Sequence, residues 1–122
     1  MFLEGPDFVA LQVHNLEASA AFYTNVIGLV PAPKSPPGAA VFQTKPIPFA
    51  VRRPQEALPE DERLGIGVSL WFYTPNASVL YDHLTQQGVS IVKPLTDAPG
   101  PFGRWFTFTD LDGYAITVHD GR

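Results

Sequence analysis

Enzyme chemistry needs side chains that carry protons, hold metals or attack carbon, and this chain offers few of them. It has no cysteine. That removes thiol nucleophiles, disulfides and thiolate metal sites together. The histidines are His14, His83 and His119. His14 falls where a strand should meet a helix, which suits a loop histidine. His83 belongs to a helix and is expected at its surface. His119 ends the last strand. Nothing in their spacing brings the three together. Asp110 and Asp112 resemble a paired-carboxylate acid–base motif, but they flank a tight turn closed by Gly113, and turn formation accounts for them. Arg104 and Arg52 would place positive charge at the rim of a site, although an arginine beside a turn usually ends in a surface salt bridge. Tyr73, His14 and His119 are the remaining acid–base candidates.

Composition narrows the field further. With 122 residues the chain has the length of one ordinary domain. Its 45% hydrophobic content against 16% charged residues argues for a packed core over disorder. Eight basic and twelve acidic residues leave a net charge of −4 with no basic stripe, so nucleic acid is not an expected partner. No apolar stretch approaches the ~20 residues of a membrane span. The opening MFLEGPDF lacks a basic stretch followed by an apolar run, so a secretion signal is not expected and a cytoplasmic protein is. Proline is abundant at 13 residues, and four of them (Pro31, Pro33, Pro36, Pro37) crowd one segment, which should be irregular or an edge.

The elements that must position any site follow from the hydrophobic pattern. Residues 8–13 alternate as a strand, with Phe8, Ala10 and Gln12 on one face and Val9, Leu11 and Val13 on the other. Asn15 is placed to cap a helix that runs to Gly28, with Leu16, Ala20, Tyr23 and Ile27 in helical spacing. Residues 39–44 and 47–53 read as two strands, and Pro48 suggests an edge or a bulge in the second. Residues 54–64 are charged and bracketed by Pro54 and Pro59, as expected of a linker. The pattern then starts again. Residues 66–73 predict a strand with Ile66, Val68, Leu70 and Phe72 facing the core and Gly67, Ser69, Trp71 and Tyr73 facing away. Asn76 opens a second helix closed by Gly88. Strands are expected over 89–95, 104–109 and 114–120, with a turn-rich loop at 97–103 that would serve as a flap over a binding site. Asn15 and Asn76 lie 61 residues apart, half the chain, so the simplest reading is an internal duplication of strand, helix and three strands.

Two segments carry a resemblance. LQVHNLEASAAFYTNVIGLVP resembles the opening strand and short helix of the vicinal oxygen chelate superfamily. GRWFTFTDLDGYAITV resembles the closing hairpin of that superfamily, which groups glyoxalases, extradiol dioxygenases and bleomycin-resistance proteins. The resemblance covers about residues 8–119. It implies an α+β fold in which two βαβββ modules, residues 8–53 and 65–120 joined by linker 54–64, form a single domain with a partly open, curved sheet around a cleft. It also implies where a divalent metal would be held. Those ligand positions match Phe8, Ser69, Ala50 or Val51, and Thr117. None carries the imidazole or carboxylate that a catalytic metal needs. No metal and no cofactor are therefore expected.

If Phe8, Ser69 and Thr117 occupy the inward positions of that fold, their alternate neighbours also point inward. The expected ligand-binding residues are then Phe8, Gln12, Ser69, Trp71, Tyr73, Trp105, Thr107 and Thr117, with Ala10, Gly67, Ala115 and His119 beside them. Aromatic rings with a few neutral polar groups suit a planar or amphipathic small molecule. The reading is a metal-free binding protein that sequesters a compound such as an antibiotic, and the resemblance implies a homodimer. The alternative is a lyase, isomerase or dioxygenase of the same fold with an atypical or absent metal site. A third reading, a module that binds a protein partner, has no direct support in the sequence.

Overall fold

A computed structural model describes residues 2–97 and 101–122. The expected flap at 97–103 falls partly on residues 98–100, which lie outside the described residues. The architecture is α+β, with one sheet in each of two units, Met1–Glu62 and Arg63–Arg122. Among the described residues no helix is long and apolar enough to cross a membrane.

In the first unit β1 (Val9–Gln12) runs parallel to β3 (Phe49–Arg52), and β2 (Ala39–Phe42) is antiparallel to β3, giving the order β1-β3-β2. The alternation read in the sequence decides the faces. Leu11, Val13, Phe42, Phe49 and Val51 are buried, whereas Phe8, Ala10 and Gln12 are exposed. Helix α1 (Leu16–Ala21) begins as expected, because the Asn15 side chain accepts the amide of Ala18 at 3.0 Å. It ends differently. Residues Phe22–Ile27 widen into a π-helical turn before Gly28 stops it in the left-handed conformation, φ 87°. Five of its six residues are ring-bearing or β-branched, types that crowd an α-helical turn. In this form Phe22 and Tyr23 are both buried, and Tyr23 stands edge-on to Phe49 with ring centres 5.1 Å apart.

The first module also lacks the full third strand that a duplicated unit predicts. Only Pro31 bridges to Phe42. The flanking amides complete the pairing, Ala32 donating to Val41 at 2.8 Å and Gln43 donating to Val30 at 2.8 Å. Prolines at 31, 33, 36 and 37 have no amide to extend the ladder, so it stops there.

The second unit holds the complete pattern: β4 (Leu70–Tyr73), α2 (Ala77–Gln86), β5 (Ser90–Asp97), β6 (Arg104–Thr109) and β7 (Ala115–His119), in sheet order β4-β7-β6-β5. One expectation fails. The strand predicted over 66–73 starts only at Leu70, since Gly65 and Gly67 take φ of 87° and 82° and the amide of Val68 closes a turn onto Gly65. Ile66 and Val68, expected in the core, are 80% and 41% exposed. The core proper is Phe106, Phe108, Ile116 and Val118 under α2, whose Leu84 is fully buried and whose Tyr81 meets Phe106 edge-on at 5.2 Å. Asp110 builds the hairpin turn as expected, its Oδ1 accepting the amides of Asp112 at 3.0 Å and Tyr114 at 2.9 Å.

Asp120 fastens this unit. Its Oδ2 accepts the amide of Ala77 at the start of α2, 3.0 Å, and its Oδ1 accepts the amide of Arg104 at the start of β6, 2.9 Å. The Arg104 guanidinium completes a salt bridge at 3.0 Å. The Ala77 amide, then the Arg104 amide and charge, hold the carboxyl below its ordinary value, and partial burial opposes them. A carboxyl depressed on folding contributes stability that is complete above its unfolded value and is lost as pH falls through its folded value. Thermal melts of wild type and Asp120→Asn should therefore differ most at neutral pH, with the variant melting lower. The gap should close as pH drops below roughly 4; a gap that stays constant to pH 2.5 counts against the assignment.

Candidate functional site

Strand alternation leaves one face of the second sheet free of the core. The registers place Trp71 opposite Thr117 and Tyr73 opposite His119 on β4 and β7. They place Thr107 opposite Thr117 and Trp105 opposite His119 on β6 and β7. Paired residues share a face. Trp71, Tyr73, Trp105, Thr107, Thr117 and His119 therefore look the same way, opposite to Phe106, Phe108 and Ile116. Five of these six are expected ligand contacts, and the sixth, His119, is expected beside them.

Four rings on this face meet. Trp71 lies 5.1 Å from Phe102 and 6.0 Å from His119, centre to centre. His119 stands edge-on to Tyr73 at 5.9 Å and to Phe102 at 5.8 Å. Trp71, Tyr73 and Phe102 remain 49%, 40% and 50% exposed, so the cluster is a surface and not a core. Beside it the hydroxyls of Thr107 and Thr117 bond each other at 2.8 Å in a buried pair. The Nδ1 of His119 is enclosed and has no hydrogen-bond partner among the described residues. The guanidinium of Arg122 covers the Tyr73 ring, 4.1 Å from its centre.

Three expected contacts lie outside the strand registers of this sheet. Ser69 is exposed and precedes β4, outside the strand that was to aim it. Phe8 and Gln12 belong to the first unit, where Phe8 precedes β1 and Gln12 pairs in register with Arg52. Phe102 and Arg122 were not anticipated. Phe102 sits in a loop with no periodicity to aim it, and the only sequence signal was the glycine that follows. Arg104, considered as a rim charge, is committed to Asp120. Arg52 donates to the carbonyl of Arg53, while Arg53 pairs with Glu17 at 2.7 Å.

Phe102 owes its place to a close approach of backbones. Gly121 donates its amide to the Phe102 carbonyl at 2.9 Å. A Cβ at position 121 would collide with Phe102 C, Pro101 O and Gly103 N.

The metal positions implied by the family resemblance do not fit a divalent ion. Phe8 offers no donor, the Thr117 hydroxyl is engaged by Thr107, and neither Ala50 nor Val51 has a polar side chain. Among the described residues no three histidine, aspartate or glutamate side chains gather as a ligand set. The cluster can stack on flat surfaces and offer neutral hydrogen-bonding edges.

Comparison with known proteins follows the same outline. The family profile described as Glyoxalase/Bleomycin resistance protein/Dioxygenase superfamily matches residues 5–118. TioX from Micromonospora sp. ML1 is similar in structure at TM-score 0.75 and 19% identity, over 97% of this chain and 100% of that one. TnmS3, an antibiotic binding protein from Streptomyces sp. CB03234, is similar at TM-score 0.73 and 17% identity, over 100% and 99%. A lactoylglutathione lyase from Agrobacterium tumefaciens is similar at TM-score 0.72 and 17% identity, over 98% and 95%. No curated protein sequence matches the chain.

The Gly121 contact can be checked directly. In a Trp105→Phe background, where Trp71 is the only indole, Gly121→Ala should move Phe102 off Trp71 and shift the emission to longer wavelength. Far-UV circular dichroism should stay unchanged. Emission identical to the parent would show that Gly121 does not hold the Phe102 loop.

Proposed function

The chain belongs to the Glyoxalase/Bleomycin resistance protein/Dioxygenase superfamily, and we propose that within it this protein binds a planar or amphipathic small molecule, such as an antibiotic, without a metal ion. The observation that carries this reading is the half-exposed ring cluster of Trp71, Tyr73, Phe102 and His119 on one sheet face. Rings held partly in water gain most from a flat partner that covers them. The Thr107–Thr117 pair adds neutral polarity beside them.

The fold by itself does not choose between binding and catalysis, because an antibiotic binding protein and a lyase resemble this chain about equally. The side chains favour binding. A general base needs a partner to orient it, and among the described residues the Nδ1 of His119 has none. The residue types at 8, 69 and 117 support a site without a metal. A homodimer in the cytoplasm is part of the same proposal, the dimer resting on the family resemblance. Light scattering coupled to size exclusion should give about twice the mass of one chain, and a monomer at micromolar concentration would remove that part.

Fluorescence titration tests the ligand reading. Daunomycin and actinomycin D supply planar antibiotics, bleomycin supplies a strongly basic one, and Zn²⁺, Ni²⁺ and Mn²⁺ supply the metals. Saturable quenching by a planar compound is expected, weakened about three- to tenfold by Trp71→Ala. Tight stoichiometric binding of a metal would overturn the metal-free reading, and no response to any planar compound would overturn sequestration through these rings.

A further inference from the structure

The ring surface already holds one occupant. The Arg122 guanidinium lies over the Tyr73 ring, 4.1 Å from its centre, close enough for a cation–π contact. The same ring also meets His119 edge-on. Arg104, the other arginine near this end of the sheet, alternates to the opposite face through its neighbour Trp105 and is held by Asp120. The carboxylate of Asp120 is turned to Ala77 and Arg104 and offers nothing to the rings.

We propose that the face of Tyr73 is a subsite for a flat, delocalised cation, and that Arg122 is its intramolecular occupant and competitor. The proposal deepens the binding reading above and rests on it. Its argument is that of a stand-in group. A guanidinium is planar, cationic and weakly hydrated, so the surface that receives it will receive an aromatic cation of the same character. Recognition through π faces, with no side-chain carboxylate of the second unit's described residues bonded at the cluster, selects delocalised charge over a compact ammonium, which would have to leave its water without an ion-pair partner. The overall charge of −4 adds a weak attraction for cations in general.

The test uses two ligands of one shape and different charge, 10-methylacridinium as the cation and 10-methylacridone as the neutral analogue. Each is titrated calorimetrically into wild type, Arg122→Ala and Lys34→Ala, the last removing one charge from an exposed loop of the first unit. Arg122→Ala should bind the cation roughly two- to fivefold more tightly than wild type, the range set by an exposed cation–π contact. The neutral analogue should change little, and Lys34→Ala should match wild type for both. Tyr73→Leu should erase the preference for the cation.

Equal changes for both ligands in Arg122→Ala, or weaker cation binding, would overturn the subsite while leaving the ring surface as a ligand site. An equal gain for the cation in Lys34→Ala would reduce the effect to net charge and overturn it likewise. Absence of binding by either ligand to any of the proteins would overturn the ring-surface reading itself, and this proposal with it.

Discussion

Asp120 stands where the first turn of α2, the start of β6 and the end of β7 converge, and its two oxygens take amides from two of them and a guanidinium besides. Its neighbours in sequence work from that fixed point. His119 turns into the ring cluster, Gly121 lets the 101–103 backbone come down against the chain, and Arg122 reaches the Tyr73 ring. Four consecutive residues therefore tie a helix, a strand and a loop together and shape one surface. Alternation places the carboxylate on the structural side while the imidazole faces the rings. A lost anchor at position 120 would be felt at the site as well as in the core.

How much of this could be read in the chain depends on whether a periodic signal was present. Alternation gave the faces of β4, β6 and β7, because each carries an unbroken two-residue pattern with large apolar groups on one side. The caps at Asn15 and Asn76 and the stop at Gly28 were legible since each residue type answers a specific backbone need. The start of β4 at Leu70 is not legible, for the opposite reason. Ile66 and Val68 continue the apolar alternation, yet Gly65 and Gly67 bend the chain into left-handed conformations that no strand accommodates. The π-helical turn was invisible because hydrophobic spacing hardly distinguishes it from an α-helix. Phe102 and Arg122 were missed since their positions come from a backbone approach and a ring contact between segments, neither of which leaves a local pattern.

The two sheets show how one plan can carry unequal surfaces. On the first, β1 and β3 turn Ala10, Gln12 and Arg52 out of the core, small or polar groups within the strands. On the second, the corresponding side presents indole, phenol and imidazole. A common backbone shared at under 20% identity by an antibiotic binding protein and a lyase sets where side chains can point, and leaves what they do to their identity.

The half-exposed rings have a thermodynamic consequence. Water lying against Trp71, Tyr73 and Phe102 adds to the heat capacity of the protein, and that contribution vanishes when the surface is covered. Whatever covers these rings does so with a negative heat-capacity change, so its binding enthalpy grows more favourable on warming while its entropy grows less so. The surface is thus tuned to temperature through its hydration.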